Sequence, residues 1–112
     1  MAHLSTHVLD MARGQPAEGL AIELHAWRNG ERQRLKITTT GADGRTAKVE
    51  VQTGVYELIY HAGAYFRAAG IHLPDPPFLD EVVVRFGVAD PAGHYHVPLL
   101  LAPYAYSTYR GS

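Results

Sequence analysis

A chain of 112 residues can bury one hydrophobic core but not two, so residues 1–112 are read as a single domain. Its 46% hydrophobic side chains exclude a disordered chain, and a net charge of −1 leaves no basic field for nucleic acid. Cysteine is absent, which excludes disulfides, thiolate catalysis and cysteine-ligated zinc.

Residues 1–10 lack a basic region followed by an apolar run, so no signal peptide is expected. No apolar stretch approaches the roughly 18 residues that span a bilayer, and no membrane partner is expected. Arg110-Gly111-Ser112 is not a peroxisomal address, so the expected location is cytoplasmic.

In chain order, the hydrophobic period is close to two. Residues 4–9 read as a strand, with Val8 inward and His7 on the opposite face. Leu20, Ile22, Leu24 and Ala26 alternate with Ala21, Glu23, His25 and Trp27, the pattern of a half-buried strand. Asn29-Gly30 is a strong hairpin signal. Leu35, Ile37 and Thr39 then alternate with Lys36, Thr38 and Thr40. Arg32, Arg34 and Lys36 would share one face of that strand, as a solvated edge. The turn Gly41-Ala42-Asp43-Gly44 follows, and Arg45 opens a strand with Val49 and Val51 on its own face. Residues 55–60 are β-branched and aromatic, hence strand.

Residues 61–70 are rich in alanine and read as a helical turn, too short to stand as an independent helix. Residues 71–77 hold three prolines and read as irregular loop. Residues 81–88, 94–101 and 104–110 complete about eight short strands, the pattern of a sandwich or barrel.

Seven histidines are present. His3, His25, His61 and His72 have no partner nearby in sequence and are read as structural or surface residues. His94 and His96 would share a strand face and could bind zinc with a third ligand from elsewhere; the plainer alternative puts His94 in a turn and His96 in the sheet. By spacing alone His7 and Arg45 are solvated strand residues, and Tyr104, Tyr106 and Tyr109 are sheet aromatics. There is no nucleophile elbow and no phosphate-binding loop.

Four segments resemble the 5-hydroxyisourate hydrolases, the enzyme branch of the transthyretin fold. They are Leu4-Ser5-Thr6-His7-Val8-Leu9-Asp10 with Gly14-Gln15-Pro16-Ala17; residues 40–45, ending Asp43-Gly44-Arg45; Tyr95-His96-Val97-Pro98-Leu99-Leu100-Leu101-Ala102-Pro103-Tyr104; and Tyr106-Ser107-Thr108-Tyr109-Arg110-Gly111-Ser112. Gly54-Val55-Tyr56 and residues 101–108 are similar to the whole transthyretin family, carriers included. The terminal Tyr109-Arg110-Gly111-Ser112 and the set His7, Arg45 and His96 resemble the hydrolases alone.

The resemblance implies an all-β, transthyretin-like (prealbumin-like) sandwich of two four-stranded antiparallel sheets. It implies a homotetramer with sites at the dimer–dimer interface. It implies a small-molecule substrate, 5-hydroxyisourate, hydrolysed in urate degradation to 2-oxo-4-hydroxy-4-carboxy-5-ureidoimidazoline, with no metal or organic cofactor. The implied catalytic residues are His7, Arg45, His96 and Ser112, the last through its terminal carboxylate; His7, Arg45, Tyr109 and Ser112 bind substrate. Only nine residues separate Arg45 from Val55, so the short helix expected there is reduced or absent. The alternatives are a transthyretin-like carrier without catalysis and a zinc hydrolase built on His94 and His96.

Overall fold

The computed structural model describes residues 1–111. Nine strands and one helix follow in the order β1 (Ala2–Asp10), β2 (Gln15–Pro16), β3 (Ala21–Arg28), β4 (Glu31–Thr39), β5 (Val49–Val51), β6 (Gly54–His61), α1 (Ala62–Ala68), β7 (Glu81–Val88), β8 (His94–Ala102) and β9 (Ala105–Thr108). They form a two-layer sandwich. One sheet runs β2-β1-β8-β9 with β5 also paired to β1, and the other runs β4-β3-β6-β7.

Period-two alternation builds the core between the layers. On β1, Ala2, Leu4, Thr6, Val8 and Asp10 are buried, while His3, Ser5, His7 and Leu9 face outward. Leu20, Ile22, Leu24 and Ala26 supply the facing layer with Tyr56, Leu58 and Tyr60. The Tyr60 hydroxyl crosses the sandwich to Thr6 Oγ1 at 2.8 Å, so neither polar group is buried alone. Asn29 and Gly30 take φ of 54° and 76°, the left-handed pair that a two-residue hairpin requires, and β3 and β4 meet there.

The sandwich departs from the sequence expectation in three details. First, β1 and β8 pair in parallel, so their sheet is mixed, and β5 adds a fifth strand to it. Second, the strand expected to open at Arg45 begins at Val49; Arg45 makes only an isolated bridge to His7. Third, β4 is not half-buried. A bulge lies opposite Leu24 and His25, Leu35 and Ile37 remain 44% and 53% exposed, and Lys36 faces the layer of Leu24. The bulge also turns Arg32 and Arg34 to the other face, opposite Trp27 and His25.

The helical turn expected within residues 61–70 is a short helix, Ala62–Ala68 after β6, and among the described residues no helix stands between Arg45 and Val55, as expected. Seven residues cannot hold a helix by local propensity. Tertiary contacts hold this one: Phe66 is fully buried, and the Tyr65 hydroxyl donates to Asp10 Oδ2 at 2.7 Å. Asp10, at the end of β1, also accepts hydrogen bonds from Arg13 Nε and Arg13 N. Burial alone would raise the Asp10 carboxyl, but these hydrogen bonds outweigh it and hold the group below its ordinary value. Among the described residues no helix is long and apolar enough to cross a membrane.

Candidate active site

The outward faces of β1 and β8 form the floor of a cleft. Their parallel register sets His3 beside His94, Ser5 beside His96 and His7 beside Pro98. Residues two apart on a strand point the same way, so the three pairs stack in tiers on one side of the sheet. His94 is the first residue of β8, exposed at the strand start, while His96 lies half-buried within the sheet.

The turn at residues 41–44 delivers Arg45 to this floor. Gly44 N donates to Gly41 O at 2.9 Å and Gly41 N to Arg45 O at 3.0 Å, closing the turn. Val8 N donates to Gly44 O at 2.9 Å, which clamps the turn against β1. Gly44 has φ of +75°, and a Cβ there would lie 2.5 Å from Val8 O. Glycine is therefore required twice over, by conformation and by contact. Arg45 pairs with His7 as a result.

The chain beyond β9 covers the opposite side. Gly111 N donates to His96 O at 2.7 Å, and a Cβ on Gly111 would stand 2.7 Å from His96 Cδ2. The backbone thus lies directly on the imidazole. Arg110 fixes the approach, its guanidinium 4.2 Å from the Tyr95 ring centroid and hydrogen-bonded to His94 O at 3.1 Å. The resulting cleft measures about 490 Å³ and is lined by His7, Arg45, His96, Tyr109 and Gly111, with Ser5, His3, His94 and Lys48. The structure brings together His7, Arg45, His96 and Tyr109 as the sequence reading grouped them. Ser112 lies outside the described residues.

His96 has the most specific environment. Its Nδ1 is 2.8 Å from Ser5 Oγ, which fixes the ring and leaves Nε2 as the nitrogen available to the cleft. Burial, the Arg45 guanidinium and His7, in that order, depress the His96 pKa below its ordinary value. A neutral imidazole beside a guanidinium can take a proton from water at neutral pH while the cation steadies negative charge. The zinc arrangement is a different matter: among the described residues no three of His, Cys, Asp and Glu are grouped to hold a metal ion.

Sequence reasoning missed Ser5, His3, Lys48 and the cleft role of Gly111. Ser5 and His96 stand 91 positions apart, so no local spacing links them. The outward parity of Ser5 with His7 was the one available signal.

A profile of the HIUase/Transthyretin family matches residues 4–111. The chain is 54% identical over 114 residues to 5-hydroxyisourate hydrolase 2 of Rhizobium meliloti, covering 97% of this chain and 95% of that protein. Among solved structures, (S)-allantoin synthase superposes with a TM-score of 0.91 at 39% identity; the match covers 99% of this chain but only 44% of that one. The Klebsiella pneumoniae 5-hydroxyisourate hydrolase superposes with a TM-score of 0.84 at 36% identity over the whole of both chains. Transthyretin from Sparus aurata has a TM-score of 0.86 at 27% identity, over 96% of this chain and 95% of that one. The chain belongs to the HIUase/transthyretin family.

Proposed function

We propose that the cleft hydrolyses 5-hydroxyisourate, opening its six-membered ring, with His7, Arg45 and His96 carrying the chemistry. Curated relatives of this chain are 5-hydroxyisourate hydrolases at 54% and 53% identity, over 97% and 100% of it. The protein is accordingly a hydrolase of urate breakdown acting on a small molecule. The observation that carries the site assignment is the depressed, Ser5-anchored His96 set against Arg45 and His7 in one cleft.

In this reading His96 Nε2 takes a proton from the attacking water. Arg45 orients the planar ring and stabilises the developing oxyanion. His7, opposite Arg45, returns a proton to the leaving nitrogen. Tyr109, which lines the cleft, positions the ring, and Ser112 is assigned with it to positioning the ring or the water. A carrier role keeps the fold but makes no use of this polar set, and the transthyretin likeness is lower, at 27% identity.

Freshly generated 5-hydroxyisourate should lose absorbance much faster with the protein than without it. A rate equal to the uncatalysed one would overturn the assignment. Exhaustive chelation should leave the rate intact; a loss restored by zinc would replace this mechanism with a metal-assisted one.

The reading includes a homotetramer with the cleft at a dimer–dimer interface. Open edges at β7 and β9 support it, as do Phe78, Tyr104 and Tyr106, which are 70%, 62% and 45% exposed. Light scattering checks it, and a fully active monomer would contradict it. The cysteine-free composition is compatible with the cytoplasmic location the reading adopts, which cell fractionation would check.

A further inference from the structure

A second tier of basic side chains sits one step from Ser5 and His96 in the same cleft. His3 and His94 are partners in the parallel register, two residues before Ser5 and His96. Their rings stack with centroids 5.3 Å apart and 15° between planes. Lys48, from the segment before β5, lines the same cavity. A strand rise of about 3.3 Å per residue places this tier roughly 7 Å from the Ser5–His96 tier. Among the described residues one carboxylate faces it: Glu50 Oε1 lies 3.7 Å from His3 Nε2, on a side chain 66% exposed that can turn into water.

The proposed hydrolysis changes the charge of its ligand. The water oxygen joins a ring carbonyl carbon and the C–N bond breaks. One water proton passes to the leaving nitrogen, and the other is released as the new carboxylic acid ionises. A neutral carbonyl in the substrate is therefore a carboxylate in the product, ionised at neutral pH. The reactive tier holds the ring, and the tier about 7 Å away lies within reach of a group projecting from it.

Resting on that reaction, we propose that His3, His94 and Lys48 form an anion subsite that takes the carboxylate of the ring-opened product, and with it the carboxylates of other planar rings of that size. The tier differs in chemistry from its neighbour: it offers donors and positive charge, while the Ser5–His96 tier offers an anchored base. Product leaves through a basic rim and is held there by an exposed, salt-sensitive attraction.

Orotate and uracil test this, because they share a pyrimidinedione ring and differ by one carboxylate. Each is titrated into the full chain while the histidine ring protons are followed by NMR. Orotate should bind about threefold to tenfold more tightly than uracil at low salt. It should move the His3 and His94 signals without moving those of His25 and His61 on the other sheet. The preference should shrink to within about twofold in His94→Gln with Lys48→Met, and at high ionic strength. Equal binding of orotate and uracil to the unaltered chain overturns the subsite. So does an unchanged preference in the folded double variant; should that variant not fold, the salt dependence and the NMR shifts decide. Inorganic phosphate moving the same signals with orotate's affinity would mean that the rim reads charge alone, and the product assignment falls. Absence of hydrolysis by the unaltered chain strikes the proposed function, whereas intact hydrolysis without orotate preference strikes the subsite alone.

Discussion

On the outer face of the β4-β3-β6-β7 sheet, Glu57 accepts hydrogen bonds from Arg32 and Arg85, and Glu23 stands between His25 and His61. Arg85 also lies 4.0 Å above the Trp27 ring. The outer face of the other sheet carries the same residue types in His7, His96 and Arg45, but among the described residues no carboxylate stands between them. In the first region Arg32 and Arg85 are matched by Glu57, which is only 2% exposed yet stays ionised: burial pushes its carboxyl up, and the hydrogen bonds from Arg85 and Arg32 bring it below the ordinary value. In the second region burial and two neighbouring basic groups act in the same direction on His96. Matched charge serves stability; basic groups without a carboxylate between them in a cleft keep His96 neutral, with a lone pair free to accept a proton. The two arrangements follow from strand pairing. Antiparallel pairs set His25 beside Glu57, and the parallel pair sets His3 beside His94 and Ser5 beside His96.

The largest effects should fall on the unmatched face. Substituting His7→Gln, His96→Gln or Arg45→Gln should each lower hydrolysis by about a hundredfold or more, with thermal melting nearly unchanged. Three variants with normal turnover would erase the functional half of the comparison. On the matched face, Glu57→Gln should do the opposite. It should cost about 1–3 kcal/mol in a urea titration, because two arginines lose a buried acceptor, while turnover per folded molecule holds. Loss of turnover without loss of stability would blur the distinction.

The next effect in size concerns Gly111. A valine there must displace the His96 ring or the backbone on it, and activity should drop roughly tenfold with the sandwich intact. Unaltered kinetics would mean that the backbone lid is not required.

A smaller and more discriminating test uses pH. With His96 as base, kcat/KM should fall on acidification with a midpoint below 6.5, because the protonated ring cannot accept the water proton. Ser5→Ala should move that midpoint as well as kcat, whereas a merely structural serine would lower activity without moving it. The depressed His96 value has a stability counterpart. The unfolded chain binds the proton more tightly, so this contribution is present above the unfolded histidine value and is lost as pH falls through the folded one. The smallest effect belongs to Glu23→Gln, below about 1 kcal/mol, since the carboxylate is partly solvated. Hydrogen bonds from His25 and then His61 hold the Glu23 carboxyl below its ordinary 4.5, so its contribution is present at higher pH and should vanish as acid titrates it. Equal acid sensitivity in the variant and the parent would remove Glu23 from the account.

Much of this was legible from sequence, for identifiable reasons. The alternation of Leu20, Ile22, Leu24 and Ala26 and the Asn29-Gly30 turn are local signals, and both elements stand where they point. The grouping of His7, Arg45 and His96 came from resemblance rather than spacing. The parallel pairing had no local mark, because a strand's sequence does not record the direction of its neighbour. The bulge in β4 depends on a register that the apolar positions Leu35 and Ile37 misreport. The helix at Ala62–Ala68 was visible only as a helical turn, since its stability lies in Phe66 and in the Tyr65–Asp10 hydrogen bond, made across 55 positions. Ser5 could not be matched to His96 before β1 and β8 were placed side by side.

The pairing of β1 with β8 also bears on the order of events as the chain is made. Ser5 waits for a partner that is synthesised 91 residues later, whereas β3 and β4 can close their hairpin as soon as the Asn29-Gly30 turn has emerged. Synthesis proceeds from the N-terminus at about 5–20 residues per second, and long-range strand pairs form later than local ones. The Ser5–His96 contact would therefore form after the β3-β4 hairpin has closed, so the cleft is assembled late on a scaffold whose other sheet starts early.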